Sequence, residues 1–121
     1  MKKNVLITGG SGFIGSYVVD ALVENKYKVT ILDLNQPKRK DVKFIQGSIL
    51  DKSIIRSALK NINIIFHLAA VSDITKVKEI PLKTIKTNIL GTTFLLEGAR
   101  NANIDRFVFA SSIYSYGAAG N

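Results

Sequence analysis

Three glycines follow the first apolar run of the chain at intervals of three residues. Residues 5–7 are Val-Leu-Ile, and Gly9, Gly12 and Gly15 come soon after them. A turn from a strand into a helix needs glycine where φ is positive, and a second glycine leaves room for a pyrophosphate at the helix amides. A third lets helix and strand touch. The spacing is not the standard G-x-G-x-x-G, and an ordinary glycine-rich loop is the alternative, but the context predicts a phosphate-binding turn.

An acidic residue ends the second apolar run. Asp33 lies 18 residues after Gly15, where a carboxylate would hydrogen-bond the adenosine ribose hydroxyls of NAD and repel the 2′-phosphate of NADP. A solvent-facing Asp at a strand end is the alternative, and the basic residues 38–40 close by would favour a phosphate. We therefore predict a site for NAD, with NADP the less favoured cofactor.

The chain has one histidine and no cysteine, so the sequence offers no His/Cys metal cluster and we expect no metal site. His67 has the ordinary pKa of a general base. Because it stands at the end of a buried run, we expect it to satisfy a hydrogen bond rather than to catalyse. Asn88 lies inside a predicted helix, where asparagine is intrinsically unfavourable. It predicts a specific hydrogen bond near the site.

Five apolar, β-branched runs have the length and composition of buried strands. They are residues 5–7, 29–32, 42–45, 62–68 and 107–110. Helical stripes separate most of them, so the strands need crossovers and form a parallel sheet covered on both faces. We predict a Rossmann-like three-layer α/β sandwich. Its five-stranded parallel sheet has the order 3-2-1-4-5, with the glycine turn at the carboxyl end of strand 1.

Three helical stripes are predicted to face this sheet. Their members are Phe13, Ile14, Tyr17, Val18, Ala21 and Leu22; then Ile54, Ile55, Ala58 and Leu59; then Ile85, Ile89, Leu96 and Ala99. Pro81 is a plausible first-turn residue of the third helix. Gly91 inside that helix predicts close packing on a neighbour. The link from Asp33 to Val42 is too short for a good helix and is predicted as a loop or single turn.

Composition narrows the class of protein. The chain has 121 residues, 46% of them hydrophobic, which suits one domain spanning residues 1–121. No segment reaches the roughly 18 apolar residues of a membrane helix or resembles a signal peptide, so we expect a cytoplasmic protein without membrane contact. The net charge is +8, but the basic residues are scattered and lack interleaved aromatics. We therefore do not expect nucleic-acid binding, which remains a third reading.

Five ordered motifs resemble the extended short-chain dehydrogenase/reductases, in particular the NAD-dependent epimerase/dehydratase family that acts on nucleotide sugars. Over nearly the whole chain, the similar segments are residues 8–15 (TGGSGFIG), 67–70 (HLAA), 88–92 (NILGT), 107–112 (FVFASS) and 116–117 (YG). The resemblance implies NAD as cofactor and hydride transfer to it. A nucleotide sugar is implied as substrate only in a complete protein.

The resemblance also implies roles for residues along the cofactor. Phe13 and Ile14 would lie at the pyrophosphate, and Ile49 beside the adenine. Ala69 and Ala70 would lie along the nicotinamide half, and Leu68 and Asn88 are further candidate cofactor-binding residues. One departure concerns Ser48, because the family usually has an Asp there for the adenine amino group. A hydroxyl replaces that contact weakly, while Asp51 is expected to cap the next helix.

The resemblance implies catalysis by a Ser/Thr, a Tyr and a Lys, in which a tyrosinate takes the substrate proton. Ser112 matches the Ser/Thr position. The Tyr-x-x-x-Lys pair is absent, since Tyr114 and Tyr116 precede Ala118 and Gly120 by four positions. We therefore expect an N-terminal portion, truncated before the remaining strands and the substrate lobe and inactive alone, that self-associates through its exposed sheet edge or is disordered from residue 115 onward. The alternative is a non-catalytic NAD(P)-binding sensor or interaction protein.

Overall fold

A single sheet of five parallel strands organises the molecule. The computed structural model describes residues 2–117. The strands are β1 (Asn4–Thr8), β2 (Lys28–Asp33), β3 (Lys43–Gln46), β4 (Ile64–His67) and β5 (Arg106–Phe109). All four pairings are parallel, and the order is β3-β2-β1-β4-β5. The predicted strand order is confirmed.

The strand order reverses at β1. Because β2 and β4 both run parallel to β1, their carboxyl ends lie on either side of its carboxyl end. The last residue of β1, Thr8, is in register with Leu32 of β2 and with His67 of β4. In such sheets, ligands bind in the crevice outside the carboxyl ends of the strands at this reversal. The fold therefore brings the glycine turn, Asp33 and His67 to one edge.

The helices cover both faces of the sheet. They are α1 (Phe13–Glu24), α2 (Lys52–Ala58), α3 (Ile74–Glu79), α4 (Pro81–Ile85) and α5 (Thr92–Arg100), with a π-helical turn at Lys86–Gly91 between the last two. One core cluster joins α1 to Val5, Ile7 and Ile31. The other joins α2 and α5 to Leu6 and Ile65. The three-layer prediction is confirmed, and the link from Asp33 to Val42 contains no helix.

Helix α3 was not predicted, and its beginning has a local cause. The carboxylate of Asp73 accepts hydrogen bonds from the backbone N–H groups of Thr75 and Lys76, which is the standard N-cap arrangement. Pro81 occupies the first turn of α4, as predicted. Asp51 likewise caps α2, as predicted, by accepting from the N–H groups of Ser53 and Ile54.

Two predicted apolar stripes were partly wrong. In α1 the buried positions are Gly15 and Val19, whereas Phe13, Ile14 and Tyr17 are exposed. In the third helix the buried positions are Gly91 and Leu95, whereas Ile85, Ile89 and Leu96 are exposed. In each helix a glycine occupies one of the buried positions, so the large apolar side chains do not all mark the sheet-facing side. Gly91 does pack closely, since a Cβ there would lie 2.6 Å from Ile49 Cδ1.

Strand β5 forms one edge of the sheet within residues 2–117. Its backbone N–H groups at Arg106 and Ala110 donate toward β4, to the carbonyl oxygens of Asn63 and His67. Because strand N–H groups alternate in direction, those of Phe107 and Phe109 point to the open side. None of the helices between residues 2 and 117 is long and apolar enough to cross a membrane.

Candidate functional site

The glycine turn contacts β2 and the segment that follows β4. Gly9 has φ +75°, in the left-handed region that favours glycine, as predicted. Its N–H donates to the Leu32 carbonyl oxygen of β2 at 3.0 Å. A Cβ on Gly9 would lie 2.7 Å from the Ala69 nitrogen. The turn therefore rests directly on the peptide that follows β4.

The glycine turn leads into α1, and the first backbone N–H groups of this helix have no hydrogen-bond acceptor among residues 2–117. Gly12 is the N-cap residue in an extended conformation, and no side chain caps the helix. The first helical hydrogen bond runs from the Ser16 N–H to the Gly12 carbonyl oxygen. Among the described residues, no acceptor meets the N–H groups of Phe13, Ile14 and Gly15. Three donors at the positive end of a helix are suited to an anion.

Asp33 lies beside this turn at the carboxyl end of β2. Its Oδ2 accepts from the Ser11 N–H and its Oδ1 from the Asn35 N–H, each at 3.0 Å. These bonds hold the carboxylate at the glycine turn, and a carboxylate there can also accept from vicinal hydroxyls. The structure thus brings Asp33 together with Gly9, Gly12 and Gly15.

The arginine of the neighbouring basic cluster is already paired. Arg39 Nε lies 2.6 Å from Asp41 Oδ1, and Nη1 lies 2.8 Å from Asp20 Oδ1. These hydrogen bonds raise the pKa of Arg39, and the same pairing lowers the pKa of Asp41. An arginine held by two carboxylates is less free to bind a phosphate, which favours the NAD reading over the NADP reading.

The segment after β3 forms a compact turn into α2. Ser48 Oγ accepts from the Leu50 N–H at 3.1 Å, and its hydroxyl proton has no acceptor among residues 2–117. The Ile49 side chain is buried in the core against Gly91. Hydrogen bonds from Ser53 and from the α2 backbone lower the pKa of Asp51. Asp51 therefore serves the helix rather than the crevice.

His67 lies inside a hydrogen-bond network, as expected for a structural histidine. Its Nδ1 is 2.6 Å from Thr8 Oγ1, and its Nε2 is 2.8 Å from Thr92 Oγ1. The rings of Phe107 and Phe109 lie beside it at centroid distances of 6.1 and 5.9 Å. Burial lowers the pKa of His67 to about 4. The imidazole is thus neutral near pH 7 and is poorly suited to serve as a general base.

The segment after β4 is fixed at several points. The Leu68 N–H donates to the Thr8 carbonyl oxygen, and the Ala69 N–H donates to Thr8 Oγ1. Asn88 binds both backbone groups of Val71, with its Oδ1 accepting from N–H at 2.8 Å and its Nδ2 donating to the carbonyl oxygen at 2.9 Å. The specific hydrogen bond predicted for Asn88 is confirmed. Ala70, between these points, is exposed.

Two residues of this network were missed from the sequence. Thr8 and Thr92 are the partners of His67, yet a threonine ending a strand and another inside a helix resemble many others. The signal available was the spacing, since Asn88 and Thr92 are four residues apart and therefore share one helix face. That face also holds Leu95, which is fully buried.

Ser112 lies after β5 on an exposed segment. Its Oγ accepts from the Tyr114 N–H at 3.2 Å and caps the short 3-10 helix Ile113–Tyr116. The Tyr116 side chain is 78% exposed. Ala118 and Gly120, the residues four positions after the two tyrosines, lie outside the described residues, as does the rest of the tail at residues 118–121.

A large open groove of about 1110 Å³ lies at the opposite, amino-terminal edge of the sheet. It runs between α2 and α5, and Glu97 of α5 is among its lining residues. Six of its lining residues are basic: Lys2, Lys3, Lys28, Lys52, Arg56 and Lys60. This groove is remote from the glycine turn and shares no residue with the site described above.

The strand reversal, the glycine turn and the carboxylate at the end of β2 define a Rossmann-type α/β domain. The family model described as NAD dependent epimerase/dehydratase family matches residues 5–121. The chain therefore belongs to that family.

Known proteins of this family resemble the chain over nearly its whole length. A putative UDP-glucose 4-epimerase of Methanocaldococcus jannaschii is 39% identical over 89% of this chain and 37% of its own length. The UDP-glucose 4-epimerase of Thermotoga maritima, solved with UDP-glucose, is 35% identical with a TM-score of 0.90 over 98% of this chain and 41% of that one. The UDP-glucose 4-epimerase of Thermus thermophilus, solved with NAD, is 34% identical with a TM-score of 0.83 over 90% and 37%. The chain spans less than half the length of these relatives.

Proposed function

We propose that residues 1–121 form a single NAD-binding domain of an enzyme that epimerises or dehydrates a nucleotide sugar. One observation carries the proposal: three backbone amides at the start of α1, which have no acceptor among residues 2–117, lie next to the Asp33 carboxylate. A pyrophosphate needs the first group and a ribose diol needs the second. The relatives solved with NAD and with UDP-glucose support the same reading.

The residues present fit a dinucleotide. A Cβ at Gly12 would meet only the Gly9 carbonyl oxygen within 4 Å, so hydrogen at this position leaves open space in front of the helix amides. Phe13 and Ile14 would contribute their N–H groups to the pyrophosphate. Asp33 would accept from the adenosine ribose hydroxyls, and Ser48 and the Ile49 backbone would border the adenine.

When bound, NAD supplies an acceptor and later a donor of hydride. The chain's own contribution is to bind and orient. The segment Leu68, Ala69 and Ala70, fixed by Thr8 and Asn88, would border the nicotinamide half. Ser112 would hold the reacting sugar oxygen, and in a protein of the relatives' length a tyrosine and a lysine beyond residue 121 would move the proton.

Titration calorimetry of the 121-residue chain with NAD and with NADP tests the binding proposal. We expect NAD to bind at least about tenfold more tightly, since a 2′-phosphate would meet the Asp33 carboxylate. Titration with ADP-ribose is the control for the adenosine half, and it should retain most of the affinity. Equal or tighter binding of NADP would contradict the role of Asp33, and no binding of any of the three would overturn the proposed domain function.

A further inference from the structure

A continuous series of hydrogen bonds runs from the helical segment that contains Asn88 and Thr92 to the loop after β4. It starts at the carbonyl oxygen of Asn88, which lies 2.7 Å from Thr92 Oγ1, and continues through His67 to Thr8. It ends where the Ala69 N–H donates to Thr8 Oγ1 at 3.3 Å. These hydrogen bonds link α5, the strands β1 and β4, and the loop after β4.

Accounting for each proton gives this network one direction. Thr92 Oγ1 donates to the Asn88 carbonyl oxygen, so it must accept from His67 Nε2–H. His67 Nδ1 then carries no proton and accepts from the hydroxyl of Thr8. If His67 Nδ1 instead carried the proton and donated to Thr8 Oγ1, the Thr8 hydroxyl proton would have no acceptor among residues 2–117. The Thr8 side chain is fully buried, so such an unpaired donor would be costly. The imidazole is therefore the neutral Nε2–H tautomer.

The network reaches the glycine turn by packing. Ala69 donates to Thr8, and a Cβ built on Gly9 would lie only 2.7 Å from the Ala69 nitrogen. At the other end of the loop, Asn88 holds both backbone groups of Val71. A shift of His67 would therefore move Thr8 and Ala69, and with them the backbone that the glycine turn contacts.

We propose that His67 is a positioning residue for the dinucleotide site, fixed as its Nε2–H tautomer between Thr8 and Thr92 so that Ala69 is held against Gly9. This inference rests on the proposed function in that it takes NAD as the ligand. The arrangement of Thr8, His67 and Thr92 depends only on the hydrogen bonds. His67 touches neither substrate nor cofactor in this role. Its tautomer determines where the loop lies.

Two neighbouring threonines offer a matched pair of variants. Thr92→Val removes the acceptor of His67 Nε2–H with little change of shape. Thr93→Val is the control, because Thr93 Oγ1 donates to the Ile89 carbonyl oxygen in the same way but faces solvent. Thr92→Ser keeps the hydroxyl and is the rescue variant. Thermal melting of all four proteins establishes a temperature at which each is folded.

Two readouts separate positioning from mere stability. Since His67 is the single histidine, two-bond ¹H–¹⁵N correlations of its imidazole report the tautomer without assignment. We expect Nε2–H in the wild type, in Thr93→Val and in Thr92→Ser, and a changed tautomer pattern in Thr92→Val. The dissociation constant for NAD should rise about tenfold in Thr92→Val and less than about twofold in the other two, since a buried donor is left unpaired in that variant alone.

The outcomes distinguish this inference from the proposed function. A wild-type Nδ1–H tautomer would overturn the inference even if NAD binds normally. Equal NAD affinity in Thr92→Val and Thr93→Val would also overturn it, because the network would then not position the site. If the wild type binds no NAD, the proposed function fails and the positioning role falls with it, whereas the tautomer spectrum still tests the hydrogen-bond geometry.

Discussion

Gly15 of α1 lies against Gly9 of the preceding turn, so closely that a side-chain carbon on Gly15 would overlap the Gly9 carbonyl oxygen. The same carbon would lie 2.9 Å from the Gly10 Cα. Backbone atoms cannot move aside as a flexible side chain does. The approach of helix to strand therefore depends on this glycine, which is the role expected for the third glycine of the turn.

Gly15→Ala should destabilise the fold. We expect the free energy of unfolding to fall by about 3 kcal/mol or more, since the added methyl group forces α1 away from β1 and loosens the core around Val19. Urea unfolding followed by circular dichroism measures this. A loss below about 1 kcal/mol would contradict the close contact.

Gly12→Ala should separate binding from stability. Gly12 has φ −77°, which alanine adopts easily, and a Cβ there would lie 3.3 Å from the Gly9 carbonyl oxygen. We expect a stability loss of about 1 kcal/mol or less, together with a rise of at least about tenfold in the NAD dissociation constant, because the methyl group occupies the space in front of the amides. Calorimetry on the folded variant measures the affinity. Unchanged affinity would place the pyrophosphate elsewhere.

The parts of the fold that follow from strand composition were predictable from the sequence, and the helix faces were less so. Buried β-branched runs identify the strands, and the helices between most of them predict that the strands run parallel. In the third helix, the sheet-facing positions are Asn88, Gly91 and Leu95, of which only the last is hydrophobic in the usual sense. Hydrophobic periodicity therefore selected the exposed Ile85 and Ile89, whose apolar face nothing in the described residues covers.

Some residues of the candidate site were likewise predictable from the sequence, and others were not. Gly9, Gly12, Gly15 and Asp33 were found from spacing, because a strand-to-helix turn imposes fixed intervals on backbone chemistry. The partners of His67 were not found, since hydrogen bonds between Thr8, His67 and Thr92 join residues far apart in sequence. Only the register of β1 with β4 brings Thr8 opposite His67.

Asp33→Asn should shift cofactor preference. The substitution removes the charge that opposes a 2′-phosphate while keeping the side chain's size, so we expect the ratio of NADP to NAD affinity to rise by roughly tenfold. Asp105→Asn is the matched control, because Asp105 pairs with Lys3 at the opposite edge of the sheet. Calorimetry with both cofactors measures the ratio. If both variants leave the ratio unchanged, Asp33 does not face the ribose.

Phe109→Pro should reduce self-association of the 121-residue chain. The Phe109 N–H points to the open side of β5, so proline removes a donor for an added strand without breaking the bonds to β4. Phe109→Ala, which keeps the N–H, is the control for the loss of the aromatic ring. Sedimentation velocity at increasing protein concentration measures the change. A wild type that stays monomeric would show that the edge does not recruit a second copy.

The buried His67 should make stability depend on pH, because the unfolded chain binds a proton more readily than the folded one. Its pKa in the folded protein is about 4, against an unfolded value of 6.5, and burial is the cause. Its hydrogen-bond partners Thr8 and Thr92 carry no charge, and neither do the neighbouring rings of Phe107 and Phe109. Below pH 6.5 protonation therefore stabilises the unfolded state alone, until the folded state also titrates near pH 4.

We expect the free energy of unfolding to be fully retained above pH 6.5 and to fall by on the order of 3 kcal/mol as the pH drops to about 4. Urea unfolding in steps of half a pH unit measures the slope. His67→Gln cannot titrate and should be flatter across this window, although it starts from a lower stability because its hydrogen bonds are imperfect. The difference between the two curves isolates the contribution of the histidine, because both proteins carry the same carboxylates. Parallel curves would mean that His67 is protonated as easily in the folded protein as in the unfolded chain.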